Sequence, residues 1–210
     1  MRFLESEDDY KWVAPIYDPL ISPFMLPIRH EVCRISRRLG FLNILDLCSG
    51  TGEQCILLDQ WGLHVTGVDS SPAMIRIAKS KSPDTIVYHH EDARQLHFPD
   101  QTFDCVMSTL AFHEKDPLSR RQIMKEAGRV LMPHGKLLIV DFVCPDDLLS
   151  MVSNAFVHWV EWMGGAEHYK NFRNFMRNGG LIGLLKGEGV RISHLKKYHM
   201  GATGLALGEF

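Results

Sequence analysis

A turn of small residues near position 50 is the strongest candidate for chemistry. The stretch 44–47 is apolar apart from Asp46 and runs directly into Cys48-Ser49-Gly50-Thr51-Gly52, which a helical pattern follows. Small side chains let backbone N–H groups come close to a ligand, and the start of a helix favours negative charge. The pattern predicts a site for a nucleotide-like ligand.

Two acidic residues stand where the next two strands are predicted to end. Asp69 follows the strand predicted over 64–68, and Asp92 follows the third predicted strand. Open α/β sheets bind ligands at the carboxyl ends of their strands. We expect Asp69 to accept hydrogen bonds from a ribose diol and Asp92 to receive the exocyclic amine of adenine. Alternatively, Asp69 caps the helix that starts at Pro72, and Asp92 caps a turn.

Short apolar runs alternate with helical patterns from about residue 43 onward, which is typical of an α/β fold with a parallel sheet. Ser71-Pro72 and Asp116-Pro117 each place a capping side chain before a proline, as at helix starts. Gly62 and the turn Pro133-His134-Gly135 are expected to end helices. The pattern predicts strands over 43–47, 64–68, 85–89, 103–108 and 135–142, and helices over 53–61, 71–80 and 117–131.

The N-terminal segment is predicted to be helical, and the C-terminal segment is predicted to form a helix followed by a β-hairpin. Residues 1–42 have helical spacing interrupted by Pro19, Pro23 and Pro27, and could cap a sheet edge. A helical stretch after Pro145 leads to Gly164-Gly165, and a final hairpin is expected over 190–200 and 204–209. Its aromatic stripe has helical spacing, so it predicts either a buried helix face or a lid over a pocket; the stripe comprises Phe156, Trp159, Trp162 and Met163.

Composition limits the class of protein. The 210 residues are 45% hydrophobic, which suits one globular domain, and the net charge of −2 disfavours a nucleic acid partner. Neither a secretory signal nor a membrane-length apolar run is recognisable, so we expect a cytoplasmic protein. The five cysteines form no Cys-x-x-Cys pair, and the eleven histidines form no His-Glu-x-x-His motif. No metal site is expected, and the oligomeric state is not readable.

The order of these motifs resembles class I S-adenosylmethionine-dependent methyltransferases, in particular the small-molecule branch that includes the ubiquinone and menaquinone C-methyltransferases. The resemblance is carried by Asp46, Gly50-x-Gly52, Asp69, Asp92-Ala93, Phe103-Asp104-Cys105-Val106 and Arg129-Val130-Leu131-x-Pro133-x-Gly135. It covers residues 42–144 closely, 10–41 only in general pattern, and 145–210 only in topology. It implies a single domain over 1–210 with a Rossmann-like, seven-stranded mixed sheet, helices on both faces and a C-terminal antiparallel hairpin.

The resemblance also implies roles for individual residues. The turn 48–52 would hold the methionine part of the cofactor, Asp69 the ribose, Asp92 with the Ala93 amide the adenine, and Ser108 the amino-acid portion. Cys48 stands where the family has its first turn glycine, which requires a turn conformation open to a non-glycine residue. The remaining candidate cofactor contacts are Tyr17, Asp46, Ser70 and Met74.

The implied activity is methyl transfer from S-adenosylmethionine, with S-adenosylhomocysteine as product, to carbon, oxygen or nitrogen of a small molecule. Aromatic residues in the regions expected to roof the site predict a largely apolar or aromatic acceptor. They are Phe112, Phe142, Phe156, Trp159, Trp162 and Tyr169. Residues 108–112, Ser-Thr-Leu-Ala-Phe, lack the Asn/Asp-Pro-Pro-aromatic signature of base and glutamine methylation.

His113 is the candidate catalytic residue, because it follows the fourth strand at the edge where the methyl group should lie. A neutral imidazole there could accept a proton from the acceptor; alternatively, His113 only shapes the pocket. Two other classes stay open. A nicotinamide oxidoreductase would need a third glycine where Cys55 stands, and a non-catalytic module would bind the cofactor without turnover.

Overall fold

The computed structural model describes the backbone of residues 14–210 and the side chains of residues 22–210. The chain divides into two compact units, the first ending at Asp92 and the second spanning Ala93–Phe210. The expectation of a single domain over 1–210 stays a prediction.

The first unit alternates helices with three parallel strands in the order β3-β2-β1. Asp46, Gly67 and Tyr88 lie side by side in register across these strands. The elements are α1 (Ala14–Leu39), β1 (Asn43–Leu47), α2 (Glu53–Gln60), β2 (His64–Asp69), α3 (Pro72–Lys81) and β3 (Val87–His90).

Helix α1 runs without interruption past Pro19, Pro23 and Pro27, so the expectation that these prolines break the helix is wrong. The three prolines are four residues apart, which places them on one stripe of the helix. Their missing N–H groups therefore fall on one side, and the described prolines Pro23 and Pro27 are exposed.

The second unit contains four strands in the order β4-β5-β7-β6. Strand β5 is parallel to β4 and antiparallel to β7, and β6 pairs with β7 as an antiparallel hairpin. The elements are β4 (Phe103–Thr109), α4 (Pro117–Val130), β5 (Leu131–Phe142), α5 (Leu148–Met163), α6 (Ala166–Arg177), α7 (Gly180–Gly187), β6 (Arg191–Tyr198) and β7 (Thr203–Glu209).

The seven-stranded mixed sheet with a C-terminal hairpin is confirmed. Both predicted helix starts are also confirmed, since Ser71 accepts a hydrogen bond from the Met74 amide and Asp116 from two amides of α4. Strand β5 was predicted to start at Gly135 but starts at Leu131. His134 adopts a positive φ of 66°, and the register with β4 is irregular here, so the turn is absorbed as a bulge within the strand.

Candidate active site

The turn 48–52 contains three residues with left-handed backbone conformation. Their φ angles are 57° at Cys48, 55° at Gly50 and 81° at Gly52. The left-handed region disfavours residues that carry a Cβ, so Cys48 sits in strained backbone where a glycine would not. This left-handed region is sparsely populated by non-glycine residues but open to them, and the effect of Cys48 on cofactor binding stays a prediction.

Gly52 is required by close packing as well as by its backbone. A Cβ on Gly52 would lie 2.2 Å from the hydroxyl of Tyr88, and a Cβ on Gly67 would lie 2.6 Å from the Tyr88 ring. The Tyr88 hydroxyl is 2.9 Å from Ser82 Oγ and donates to the Gly52 carbonyl at 3.4 Å. Tyr88, which sequence reasoning missed, thus supports the turn from β3.

Asp69 connects the turn to the next helix. Its Oδ2 accepts a hydrogen bond from the Gly50 amide at 2.8 Å, and its Oδ1 accepts one from the Ser71 amide at 2.8 Å. Ser71, not Asp69, caps α3. Each carboxylate oxygen has two lone pairs, so both can accept a further hydrogen bond from a ligand.

Asp46 is a buried carboxylate beneath the same turn, with 2% of its surface exposed. Its Oδ2 accepts a hydrogen bond from Cys55 Sγ at 3.4 Å, while Oδ1 has no partner among the described residues. Burial raises the pKa of Asp46 from 3.8 to about 7, against the lowering effects of Cys55 and Arg29. A buried, underpartnered carboxylate of this kind is suited to a cationic group.

Helix α2 begins at the turn, and its N-cap residue, Gly52, makes no side-chain capping hydrogen bond. Its first residue, Glu53, is held by Arg29 at 3.3 Å, by Lys81 and by the Ser22 hydroxyl at 3.2 Å. These contacts neutralise the one acidic side chain in the first turn. The first amides of α2 are therefore placed to interact with an anionic group.

The other predicted cofactor residues are spread over both units. Ser70 is exposed and its carbonyl faces His90 Nε2 at 3.0 Å, whereas Met74 is buried against Ala73 and Ile77. Asp92 is half-buried at the end of the first unit. Ala93 and Ser108 are buried in the second unit, and the side chain of Tyr17 lies outside the described residues.

In the second unit, His113 is buried in the loop that follows β4. Its Nδ1 lies 2.8 Å from Asp141 Oδ1, and Asp141 Oδ2 accepts hydrogen bonds from the amides of Phe112 and His113 at 2.9 and 3.2 Å. Burial lowers the pKa of His113, but the charge and hydrogen bond of Asp141, with Glu161 and Glu114, outweigh it and raise the pKa to about 9. This raised pKa favours the imidazolium form of His113 over the neutral imidazole at neutral pH.

Two helices bring further polar groups to His113. Glu161 of α5 places Oε2 3.5 Å from His113 Nε2 and 2.5 Å from Nε2 of His168 on α6. Phe142 and Phe172 pack edge-on against the His113 ring with centroids 4.8 and 6.2 Å away. Only His113 and Phe142 of this group were singled out from the sequence.

Arg120 of α4 clamps the segment that carries His113. Its guanidinium donates to the carbonyls of Phe112 at 2.8 Å and His113 at 3.2 Å, and to the carbonyl of Asn171 at 2.6 Å. It also donates to Asn174 Oδ1 at 3.0 Å. Burial lowers the pKa of Arg120 to about 10, so it stays charged at neutral pH. Arg120 thus joins the loop after β4 to α6.

The aromatic stripe of α5 is solvent-exposed, which contradicts its interpretation as a buried helix face. Phe156, Trp159 and Trp162 have 61%, 55% and 63% of their surface exposed, and Met163 has 57%. Glu161 on the same helix is 9% exposed and turns towards His113. Helix α5 therefore presents an apolar outer surface beside the buried histidine.

A separate groove of about 520 Å³ lies at the start of β5 around His134, and both polar and apolar residues line it. Ligand sites of α/β sheets lie at the carboxyl ends of strands, which is the opposite end. The groove therefore has no place in the candidate site.

Comparison with known proteins supports the assignment of class. Residues 44–135 match the family model of the methyltransferase domain. Demethylmenaquinone methyltransferase of Thermotoga maritima is 29% identical over 195 residues, covering 86% of this chain and 83% of that protein. The Listeria welshimeri enzyme of the same name is 29% identical over 178 residues, covering 79% and 75%. The PH0226 protein of Pyrococcus horikoshii has the same fold, with a TM-score of 0.66 at 22% identity over 92% of this chain and 90% of that chain.

The matched methyltransferase domain, the relatives and the fold support a class I S-adenosylmethionine-dependent methyltransferase with a Rossmann-like fold. Within that class it is similar to the demethylmenaquinone methyltransferases. The nicotinamide and non-catalytic alternatives are set aside. Among the described helices, none combines the length and apolarity that a membrane span requires.

Proposed function

We propose that this methyltransferase acts on a small, largely apolar aromatic acceptor of the quinone-like kind named for its relatives. Two relatives are demethylmenaquinone methyltransferases. The observation that carries the proposal is the pairing on α5 of exposed Phe156, Trp159 and Trp162 with buried Glu161 beside His113. Exposed apolar surface of this kind often marks a ligand site.

The cofactor is proposed to bind at the turn 48–52 of the first unit. The open side of Gly50, where an added Cβ would meet nothing within 4 Å, leaves room for a ligand against the backbone. Buried Asp46 Oδ1 and Ser49 Oγ have no partner among the described residues and offer hydrogen-bonding capacity. These features suit a ligand with an ammonium group, a carboxylate and a ribose.

Each group of the turn has a proposed partner on the cofactor. The amides at the start of α2 would bind the carboxylate of the methionine part, and Asp46 would bind its ammonium group. Asp69 would accept hydrogen bonds from the ribose hydroxyls. When bound, S-adenosylmethionine supplies a methyl group already activated by its sulfonium, so positioning and exclusion of water supply much of the rate. The contacts of Tyr17, Cys48, Gly52, Ser70, Met74, Asp92, Ala93 and Ser108 stay predictions.

His113 is proposed to lie at the reacting centre. It follows β4 at the carboxyl end of the strand and is fixed by Asp141 and by Arg120 through its carbonyl. The contact between His113 Nδ1 and Asp141 would orient the ring beside the acceptor, either as a polar group or, in its neutral form, as a base. Replacement by Gln should lower turnover while leaving cofactor affinity unchanged.

The test of the acceptor class is a methyl-transfer assay with labelled S-adenosylmethionine. A naphthoquinol that lacks the ring methyl group should become labelled, and a panel of highly charged acceptors should not. Exclusive labelling of charged acceptors would overturn the proposal. The His113→Gln variant serves in the same assay, with the exposed His134→Gln variant as control; equal turnover in both would remove His113 from the reacting centre.

A further inference from the structure

Three side chains of the second unit come from three different elements and gather their polar atoms at one point. His113 follows β4, Glu161 lies on α5 and His168 on α6. Their ligand atoms all lie within 4.8 Å of one another. No local motif marks this cluster, because successive members stand 48 and 7 positions apart along the chain.

We propose that His113, Glu161 and His168 bind a divalent transition metal ion, with zinc as the best fit. The ligand atoms are His113 Nε2, Glu161 Oε2 and His168 Nε2. Zinc binds nitrogen and carboxylate oxygen at about 2.0–2.2 Å, so tetrahedral ligand atoms lie about 3.3 Å apart. Glu161 Oε2 lies 3.5 Å from His113 Nε2 and 2.5 Å from His168 Nε2, one distance above that value and one below it. Small side-chain movements would bring both distances to about 3.3 Å.

The surroundings of the two histidines match those of metal ligands. Asp141 Oδ1 lies 2.8 Å from His113 Nδ1, and Glu114 Oε2 lies 4.0 Å from His168 Nδ1. Metal-binding histidines usually direct their second nitrogen at a carboxylate or carbonyl, which orients the ring and raises its basicity. Asp141 thus turns Nε2 of His113 towards Glu161.

The donor set and its packing decide which ion fits. Two imidazoles with one carboxylate favour zinc and its transition-metal neighbours over magnesium and calcium, which prefer oxygen ligands throughout. Phe142 and Phe172 line one side and restrict water, which strengthens electrostatic interactions inside the cluster. Three protein ligands leave a fourth position open, as in catalytic zinc sites.

An oxygen of the acceptor could take that fourth position, an extension that rests on the proposed function. Metal binding itself does not depend on the acceptor. It can therefore be measured without any substrate, and its failure is distinguishable from failure of the acceptor assay.

The experiment titrates zinc into the full chain, previously dialysed against a chelator, by isothermal titration calorimetry. We expect wild type to bind zinc and Glu161→Gln and His168→Gln each to weaken binding at least about 10-fold. His158→Gln is the matched control, because His158 lies on α5 and packs against Phe172 but is outside the ligand set. Its affinity should equal that of wild type.

Binding of zinc with equal affinity by wild type and both ligand variants would overturn the proposal, as would no binding by wild type. Because cysteines also bind zinc, cobalt is used as a second probe. A bound-cobalt spectrum without a thiolate charge-transfer band supports the cluster, and a spectrum with that band contradicts it. This second readout needs wild type only, so it holds even if a variant fails to fold.

Discussion

Asp69, at the end of β2, accepts a hydrogen bond of 2.8 Å from the backbone N–H of Gly50. Gly50 lies in the turn that follows the neighbouring strand β1. The second oxygen accepts from the Ser71 amide at the start of α3. One side chain therefore fixes the turn before any ligand arrives. Preorganisation of this kind reduces the entropy cost of binding.

Asp46→Asn is expected to stabilise the protein and to weaken binding of S-adenosylmethionine. The pKa of Asp46 is raised from 3.8 to about 7, so between these values the folded state binds more protons than the unfolded state. Wild-type stability therefore falls as pH rises through that window, and the asparagine variant escapes this loss. We expect a gain on the order of 1–4 kcal/mol above pH of about 7, and little gain near pH of about 4.

Chemical denaturation of both proteins across this pH range measures the difference, and calorimetry at about pH 8 measures affinity. A stability difference that does not change with pH would show that Asp46 is not a buried, strained carboxylate. Unchanged cofactor affinity would remove Asp46 from the binding site.

Gly52→Ala should destabilise the first unit and weaken cofactor binding, because its Cβ would lie 2.2 Å from the Tyr88 hydroxyl. Gly62→Ala is the matched control, since Gly62 has a similar φ of 74° but open space around an added Cβ. Both variants bear the backbone strain, so the difference between their unfolding free energies isolates the steric clash. We expect that difference to be about 1–3 kcal/mol.

Tyr88→Phe should recover part of this loss when combined with Gly52→Ala, because it removes the nearest clashing atom. A double-mutant cycle by thermal unfolding gives the interaction energy. Strict additivity of the two changes would refute the contact.

Arg120→Met should destabilise the second unit by about 2 kcal/mol or more, since it leaves several buried carbonyl oxygens without their donor. Arg173→Met on α6 is the control, because Arg173 is exposed and stacks on Tyr169 at 5.8 Å. That change should stay within about 0.5 kcal/mol. Equal effects of the two substitutions in urea unfolding would show that the buried clamp contributes nothing.

The strands, the helix starts and the cofactor turn were predictable because their causes are local. Alternating apolar runs and the pairs Ser71-Pro72 and Asp116-Pro117 act over a few residues. Strand β1 was predicted with the bounds that the structure has, Asn43–Leu47. Local chemistry also explains why Asp69 was recognised from its place at the end of β2.

Features that depend on residues distant in sequence were missed. Tyr88 supports a glycine 36 positions earlier, and no local pattern marks a tyrosine as a packing partner. Glu161 and His168 reach His113 only through the fold of α5 and α6. The prolines of α1 and the bulge in β5 show that the remaining chain can override local breakers.

The central claim, that Asp69 and the turn 48–52 bind S-adenosylmethionine, is tested most directly by isothermal titration calorimetry on wild type, Asp69→Ala and Asp59→Ala. Asp59 is the control, because it lies outside the turn 48–52. Its carboxylate accepts a hydrogen bond of 2.7 Å from the Thr85 hydroxyl. Loss of hydrogen bonds to a charged group should weaken binding in Asp69→Ala about 10- to 150-fold, with Asp59→Ala unchanged. Wild-type affinity in a folded Asp69→Ala variant would contradict the account.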